Sequence, residues 1–316
     1  MNQTIPSVSL RDFTEGDQKA RLRFVDTIGN ALSELGFFAL SDHGVSSELI
    51  REAYSEVTTF FELPESEKKR FEDLKLNGQR GFTSFGREHA KDSNAPDLKE
   101  YWHTGRELST DHPLYGEYPK NIWPDHRPEF RSVMLELFEA LDTCSMHLLD
   151  ACSLYLGEEQ SLLRSMAVDG NTILRAIHYP PVPEDRPANA IRAAAHEDIN
   201  FITLLCESTA DGLELLQRDG KWRPIRSLEG QIIVDSGDML QNLTNGVLKS
   251  TTHRVVNPDN SKDRRFSMPF FVHPRSEVDL SPLSKCVDRV GKQEYPNLTA
   301  GEYLEKRLSE IGLSSK

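Results

Sequence analysis

The sequence has fewer basic than acidic residues and no long apolar run. Its 316 residues include 37 Lys and Arg against 50 Asp and Glu, which gives a formal net charge of −13. A basic face for nucleic acid or for an anionic membrane is therefore not expected. Residues 1–12 contain no continuous apolar stretch of the kind that a signal peptide or a membrane span needs. We expect a cytoplasmic protein with no nucleic-acid or membrane partner.

Cysteine is also scarce, and its spacing argues against two classes of protein. The four cysteines, Cys144, Cys152, Cys206 and Cys286, include no CxxC pair. They are typical of buried free thiols rather than of zinc ligands or a disulfide framework. Hydrophobic residues make up 37% of the chain and aromatic residues 8%, which is the composition of an ordinary globular protein. A chain of this length can form one large core, and we expect a monomer.

The first half of the chain has the hydrophobic pattern of helices. Apolar residues at intervals of three and four predict an amphipathic helix over 19–35. A second helix begins at a serine cap, Ser46 or Ser47, and Pro128 opens a long third helix. Between them, 74–124 is rich in turn-forming residues without sustained periodicity, which predicts loops with short strands that cross the surface.

From residue 171 onward the hydrophobic period changes from 3.6 towards 2, which indicates β-strands. The predicted strands are 172–179, 191–195, 201–206, 212–217, 231–234, 251–256 and 265–272. Many short antiparallel strands are typical of a sandwich or a jelly roll. A capping box at 299–302 then opens a terminal helix. The sequence therefore predicts a mainly β protein with helices, in which the helices of the first half form an annex.

The residues with the most chemistry lie in one short segment, 192–198. Residues two apart in an extended strand share a face, so His196 and Asp198 can point into one cavity while Glu197 points away. An imidazole and a carboxylate placed in this way are two ligands of a facial metal site. The pattern is weak by itself, because about 1.6 such pairs would arise by chance in a chain of this composition. A structural histidine beside a surface aspartate is the alternative.

A second histidine strengthens the metal interpretation. His253 lies in a separate predicted strand, far along the chain from Asp198. Two histidines and one carboxylate on neighbouring strands complete a facial triad, which leaves open coordination positions and is typical of non-haem Fe(II) oxygenases. His196, Asp198 and His253 are therefore candidate ligands of one metal ion.

Further candidate donors occur on two other strands. Arg265 and Ser267 are two apart and share a face, where a buried guanidinium and hydroxyl can receive a carboxylate. An exposed strand arginine without a partner is the commoner outcome for an isolated pair of this kind. Tyr179, which two prolines follow, is a candidate second donor near the metal. A core tyrosine is an equally good interpretation.

A family resemblance extends over nearly the whole chain. Its motifs, in chain order, are 5–10, 36–38, 43–45, 81–82, 212–216, 219–222, 237–242, 244–246, 249–250, 253–255 and 265–267. In order and spacing they resemble the isopenicillin N synthase family of Fe(II)- and 2-oxoglutarate-dependent oxygenases. The resemblance implies a double-stranded β-helix (jelly roll) core with an N-terminal helical annex.

The same resemblance implies cofactors and roles for individual residues. His196, Asp198 and His253 would bind Fe(II), and Arg265 and Ser267 would bind the distal carboxylate of the cosubstrate 2-oxoglutarate. With dioxygen, such an enzyme oxidises a small-molecule substrate and releases succinate and CO2. Hydroxylation, desaturation and ring closure are all open as outcomes.

One further position follows from the resemblance. Tyr179 matches a tyrosine of the family's Asn-Tyr-Tyr-Pro segment that often contacts the cosubstrate. Ile177 and His178 stand where that segment has Asn and Tyr. His178 could therefore be the donor in place of Tyr179.

Two other functions stay open at this point. An oxidase of the same fold takes its electrons from the substrate, or from ascorbate, and needs no 2-oxoglutarate. A non-catalytic ligand-binding jelly roll keeps the cavity without the reaction. The complete triad together with Arg265 and Ser267 favours the oxygenase.

The resemblance also predicts how the chain is divided. An N-terminal non-haem dioxygenase region, 1–120, would wrap on the core, and 121–170 would be a helical backbone segment. The jelly-roll core that binds Fe(II) and 2-oxoglutarate would span 171–280, and 281–316 would hold the C-terminal helix.

Overall fold

The computed structural model describes residues 5–87, 97–182, 190–225, 229–257 and 262–310. Helices α1 to α9 span, in chain order, Leu10–Thr14, Gln18–Glu34, Ser47–Phe61, Glu65–Lys68, Pro128–Tyr155, Leu162–Ala167, Asp238–Leu243, Ser284–Val290 and Ala300–Glu310. Strands β1 to β13 span Ser7–Ser9, Phe37–Ser41, Gly81–Thr83, Glu100–Gly105, Ile173–Tyr179, Ala193–His196, Ile202–Leu205, Leu213–Leu216, Trp222–Pro224, Ile232–Ser236, His253–Val255, Arg265–Ser267 and Pro269–Val272. Within these ranges no helix combines the length and the apolar character needed to cross a membrane.

The helices of the annex form where the sequence predicted them, because their ends carry strong local signals. The helix predicted over 19–35 is α2, and Gly36 follows it with a φ of 75°, a left-handed conformation that glycine adopts easily. The Ser46 side chain accepts hydrogen bonds from two backbone amides of the first turn of α3. Pro128 is the first residue of α5.

The strands form two sheets that face each other. The larger has the order β1-β2-β10-β7-β13-β5-β4-β3, with β12 also paired to β5, and the smaller has the order β6-β11-β8-β9. Between the sheets, Tyr101, Ile177 and Tyr179 of the larger pack with Ala193 and Val255 of the smaller. This two-sheet core is the jelly roll that the sequence predicted.

The other face of the larger sheet packs on the annex. Helix α5 contacts β4, β7 and β13, while α3 contacts β5. At this interface the rings of Phe138 and Phe270 meet edge to face with their centroids 5.0 Å apart. The four cysteines are free and buried, as predicted. The annex therefore covers the outer face of the larger sheet, and the space between the two sheets is left for the site.

Two predicted segments differ from the structure. The stretch 74–124 does contain short strands, but they were predicted at the surface, whereas all six residues of β4 are buried and pair with β5. The single strand predicted over 265–272 is divided at Met268. It divides because β12 pairs with β5, whereas β13 pairs with both β5 and β7.

A buried arginine fills a space left by a glycine in β4. Gly105 lies on the same face of β4 as Tyr101, since residues four apart in a strand share a face. A Cβ atom at Gly105 would lie 2.1 Å from Cζ of Arg80, so the guanidinium occupies the position of the missing side chain. Arg80 donates hydrogen bonds to the carbonyl oxygen of Gln79 and to Oδ1 of Asn171. Burial lowers its pKa to about 10.

Candidate active site

The three predicted metal ligands converge at the edge of the smaller sheet. His253 of β11 pairs with His196, the last residue of β6, and Asp198 lies two residues after His196. Oδ1 of Asp198 lies 3.9 Å from Nε2 of His196 and 3.7 Å from Nε2 of His253. One ligand atom from each residue can be chosen so that all three lie within 4.8 Å of one another. Two imidazole nitrogens and one carboxylate oxygen at this spacing fit a single divalent iron.

Hydrogen bonds to the backbone fix which histidine nitrogen can bind the metal. Nδ1 of His196 donates to the carbonyl oxygen of Ala194 over 2.7 Å, and Nδ1 of His253 donates to that of Thr251 over 3.2 Å. The proton of each neutral ring is therefore on Nδ1, which leaves the Nε2 lone pair for the metal. Burial, followed by the neighbouring His253, lowers the pKa of His196. The neutral ring is the form that a metal binds.

A hydrogen bond from a neighbouring strand holds the carboxylate of Asp198 in place. The hydroxyl of Thr203 donates to Oδ2 of Asp198, which leaves Oδ1 turned towards the histidines. Asp235 of β10 lies opposite Thr203 in the β10–β7 pairing and is buried. Burial, followed by the charge of Asp198, raises the pKa of Asp235 well above its usual range. This shift favours the protonated, uncharged form of Asp235 beside Asp198.

Arg265 and Ser267 share one face of β12, as their spacing predicted. Nη1 of Arg265 donates to Oγ of Ser267 over 3.1 Å, and Nε donates to the carbonyl oxygen of Ala210 over 3.0 Å. Arg265 lies opposite Tyr179 in the β12–β5 pairing, with Cζ 5.0 Å from the centroid of the tyrosine ring. Both Arg265 and Ser267 are buried. The two residues predicted to donate hydrogen bonds to a carboxylate therefore lie together, beside Tyr179.

His178 is on the other face of β5. Its ring stacks on Phe266, with centroids 4.7 Å apart and 13° between the planes, and Nδ1 lies 2.8 Å from Oε1 of Glu100. Nζ of Lys68 also donates to Glu100, over 2.7 and 2.8 Å to the two oxygens. This buried network faces the annex. Of the two candidates weighed for the cosubstrate, only Tyr179 therefore lies on the face that carries Arg265.

The structure adds a buried ion pair near the metal ligands that the sequence did not indicate. Nζ of Lys99 lies 2.9 Å from Oδ2 of Asp97, and Oδ1 of Asp97 accepts a hydrogen bond from the amide of Ala194. The charge of Lys99 contributes to the lowered pKa of His196. In a sequence, two opposite charges flanking a single leucine are typical of a solvated surface, so no local signal marked this pair.

Two family models and several known proteins match most of the chain. Residues 5–126 match the model described as the N-terminal region of non-haem dioxygenases in morphine synthesis, and residues 170–274 match the 2OG-Fe(II) oxygenase superfamily. A 2-oxoglutarate-dependent dioxygenase of Aspergillus niger is 30% identical over 95% of this chain and 90% of its own length. A 2-oxoglutarate-Fe(II) type oxidoreductase of Aspergillus fumigatus is 29% identical over 93% and 88%.

Solved structures agree with these relatives. A protein of Caulobacter crescentus assigned to the 2OG-Fe(II) oxygenase family superposes with a TM-score of 0.86, 39% identity, and coverage of 97% of this chain and 99% of that one. A full-length Neurospora crassa protein in complex with alpha-KG also gives a TM-score of 0.86, with 26% identity and coverage of 96% and 95%. The chain therefore belongs to the 2OG-Fe(II) oxygenase superfamily, which confirms the family, the jelly-roll fold and the Fe(II) and 2-oxoglutarate chemistry predicted from the sequence.

Proposed function

We propose that His196, Asp198 and His253 bind Fe(II), that Arg265 and Ser267 bind the distal carboxylate of 2-oxoglutarate, and that the protein thereby oxidises a small organic molecule. One observation carries this proposal: three metal-ligand atoms converge within 4.8 Å in the same jelly roll that holds the buried Arg265–Ser267 pair. Tyr179 belongs to the same proposed site, because Cζ of Arg265 lies 5.0 Å from the centroid of its ring.

Each residue has a defined task in this proposal. The Nδ1–H groups of His196 and His253 donate to the backbone carbonyls of Ala194 and Thr251, so both rings keep the tautomer that binds metal. Fe(II) bound there supplies the centre at which 2-oxoglutarate and dioxygen react to oxidise the substrate, with release of succinate and CO2. Arg265 and Ser267 orient the cosubstrate by holding its far end in a site from which water is excluded.

A small-molecule substrate is supported by the contents of two similar structures. The same Neurospora crassa protein has been solved in complex with alpha-KG and thymine, and JOX2 in complex with 2OG, Fe and JA. Both proteins are 26% identical to this chain. We propose hydroxylation as the reaction, with desaturation or ring closure as the other outcomes of the same chemistry.

The location and assembly of the protein are proposed on separate grounds. Four free, buried cysteines are typical of a protein from a reducing compartment, which supports a cytoplasmic location. A monomer remains our prediction for the state of assembly.

The experiment that tests the proposed function is cosubstrate binding by Arg265→Gln. Calorimetric titration of the Fe(II)-loaded protein without oxygen should show 2-oxoglutarate binding that the substitution weakens by tens to thousands of fold. The expected scale is that of leaving a buried carboxylate without its charged partner, about 2–5 kcal/mol. Pyruvate, which has no distal carboxylate, should bind both proteins equally.

Arg264→Gln is the matched control, because Arg264 is the adjacent residue and its side chain is 41% exposed. It should leave both affinities unchanged. A wild-type protein that binds iron but has no affinity for 2-oxoglutarate would contradict the proposal and favour the oxidase of the same fold.

A further inference from the structure

A second arginine is buried beside the proposed cosubstrate site. Arg192 lies directly before β6 and, like Arg265, is only 1% exposed. Its Cζ is 5.9 Å from the centroid of the Tyr179 ring, and Cζ of Arg265 is 5.0 Å from the same centroid. Two guanidinium groups therefore approach one aromatic ring from two different elements.

The hydrogen bonds of these two arginines go to neutral acceptors. Nη2 of Arg192 donates to the backbone carbonyl of Asp263, and Nε of Arg265 donates to that of Ala210. Within the described residues, Nε of Arg192 is buried without a partner. Neither arginine belongs to an ion pair in the part of the chain that the structure describes.

Two buried positive charges beside the same aromatic ring are costly unless an anion binds between them. A buried charge needs a counter-charge and hydrogen bonds in place of water. Burial and then the charge of Arg265 lower the pKa of Arg192, and these effects exceed the opposing ones of Tyr179 and the Asp263 carboxylate. The surrounding residues Tyr101, Ile177, Ala193 and Val255 are buried and mostly apolar, which strengthens interactions between charges. An anion bound between the two arginines would relieve the repulsion.

We infer that Arg192 and Arg265 together bind the distal carboxylate of 2-oxoglutarate. This inference rests on the proposed function and adds a second cation to the cosubstrate pocket. It follows that the pocket selects strongly for a dicarboxylate, because the second guanidinium contributes only when the ligand carries a charge at its far end. A 2-oxo acid with one carboxylate should gain nothing from Arg192.

The test compares Arg192→Gln with the wild type, again by anaerobic calorimetry on the Fe(II)-loaded protein. The affinity for 2-oxoglutarate should fall by about ten- to a hundredfold, the usual loss for hydrogen bonds to a charged group. The affinity for pyruvate should not change. Arg264→Gln serves as the control and should alter neither. Arg192→Lys, which keeps the charge but loses the planar fork, should give an intermediate loss and provides a second variant if the glutamine variant folds poorly.

Thermal unfolding separates cosubstrate binding from a purely structural role. A ligand stabilises the native state according to its affinity, so the rise in Tm on adding 2-oxoglutarate to the metal-loaded protein should be smaller for Arg192→Gln than for the wild type. If Arg192 only ties the chain at Asp263, the substitution will lower Tm without ligand and leave the 2-oxoglutarate affinity unchanged, which would overturn the inference. A wild type that binds 2-oxoglutarate, with loss in Arg265→Gln but not in Arg192→Gln, would reject this inference and leave the proposed function intact.

Discussion

His253 lies opposite His196 across the β11–β6 pair, and the centroids of the two imidazole rings are 4.5 Å apart. This pairing brings together two proposed ligands from distant parts of the chain. Replacing His253 with alanine should therefore reduce Fe(II) affinity by more than the ten- to hundredfold that changes outside the ligand set typically cost. Competition with a chelator of known affinity measures this loss.

The control for the metal prediction is His126→Ala, because His126 lies outside the ligand cluster and its side chain is 44% exposed. It should leave iron affinity unchanged. Wild-type affinity in His253→Ala would mean that the triad is not the iron site.

Lys68→Met should destabilise the protein through the charge it leaves behind. The Lys68 and Glu100 side chains are 9% and 7% exposed, and among the described residues the Glu100 carboxylate would keep only the His178 side chain as a polar partner. Removing one member of a buried ion pair typically costs about 3 kcal/mol or more in unfolding free energy. Urea denaturation gives the value.

Lys69→Met is the matched control for the buried pair. The neighbouring Lys69 pairs with Glu65 at the surface, where both side chains are more than half exposed, so its loss should leave the urea midpoint unchanged. Equal midpoints for Lys68→Met and Lys69→Met would show that the buried pair adds nothing to stability.

The stability of the protein should fall in mild acid because of His273. Burial lowers the pKa of this histidine to about 4, whereas an unfolded histidine titrates near 6.5. As the pH falls below about 6.5, the unfolded chain takes up a proton that the native state does not, so unfolding becomes easier down to about pH 4. The contribution at stake is about 3 kcal/mol.

The measurement for His273 is the unfolding free energy of metal-free protein between pH 7 and 4.5, for the wild type and His273→Gln. The glutamine variant should lose less stability over this range, whereas exposed His126→Gln should follow the wild type. Parallel curves for the wild type and His273→Gln would contradict the assignment.

The annex and the jelly roll should unfold together. Trp102 lies in β4 and contacts Phe60 of α3, with ring centroids 4.9 Å apart, whereas Trp222 lies in β9 of the smaller sheet. In a Trp222→Phe variant, fluorescence reports on the first half of the chain and circular dichroism on the whole. Coincident transitions are expected for one cooperative unit. Separate transitions would show that the regions predicted as 1–120 and 171–280 fold independently.

Much of the fold follows from local signals in the sequence. The bounds of α2 and the starts of α3 and α5 could be predicted because hydrophobic spacing and caps such as Ser46 and Pro128 act within a few residues. Strand β4 could not, because burial on both faces removes the alternation that indicates a strand. The break at Met268 depends on which strands lie on either side of it, and this is set by tertiary structure.

The features of the site likewise divide into those that the sequence could predict and those that it could not. His196, Asp198, Arg265 and Ser267 could be predicted because residues two apart share a face of a strand and because these side chains have specific chemistry. The role inferred for Arg192 depends on its distance from Tyr179 across the interior. The sequence alone does not show whether an arginine is buried or exposed. The raised pKa of Asp235 likewise depends on tertiary structure, because the β10–β7 register sets its neighbours.

The contact between Gly105 and Arg80 limits how this part of the protein can evolve. Any side chain at position 105 would collide with the guanidinium, so a larger residue there requires a shorter one at position 80. The two positions are therefore expected to change together in descendants of this sequence, as a pair that conserves volume. A library that varies both positions at once should yield folded variants that single substitutions at position 105 do not.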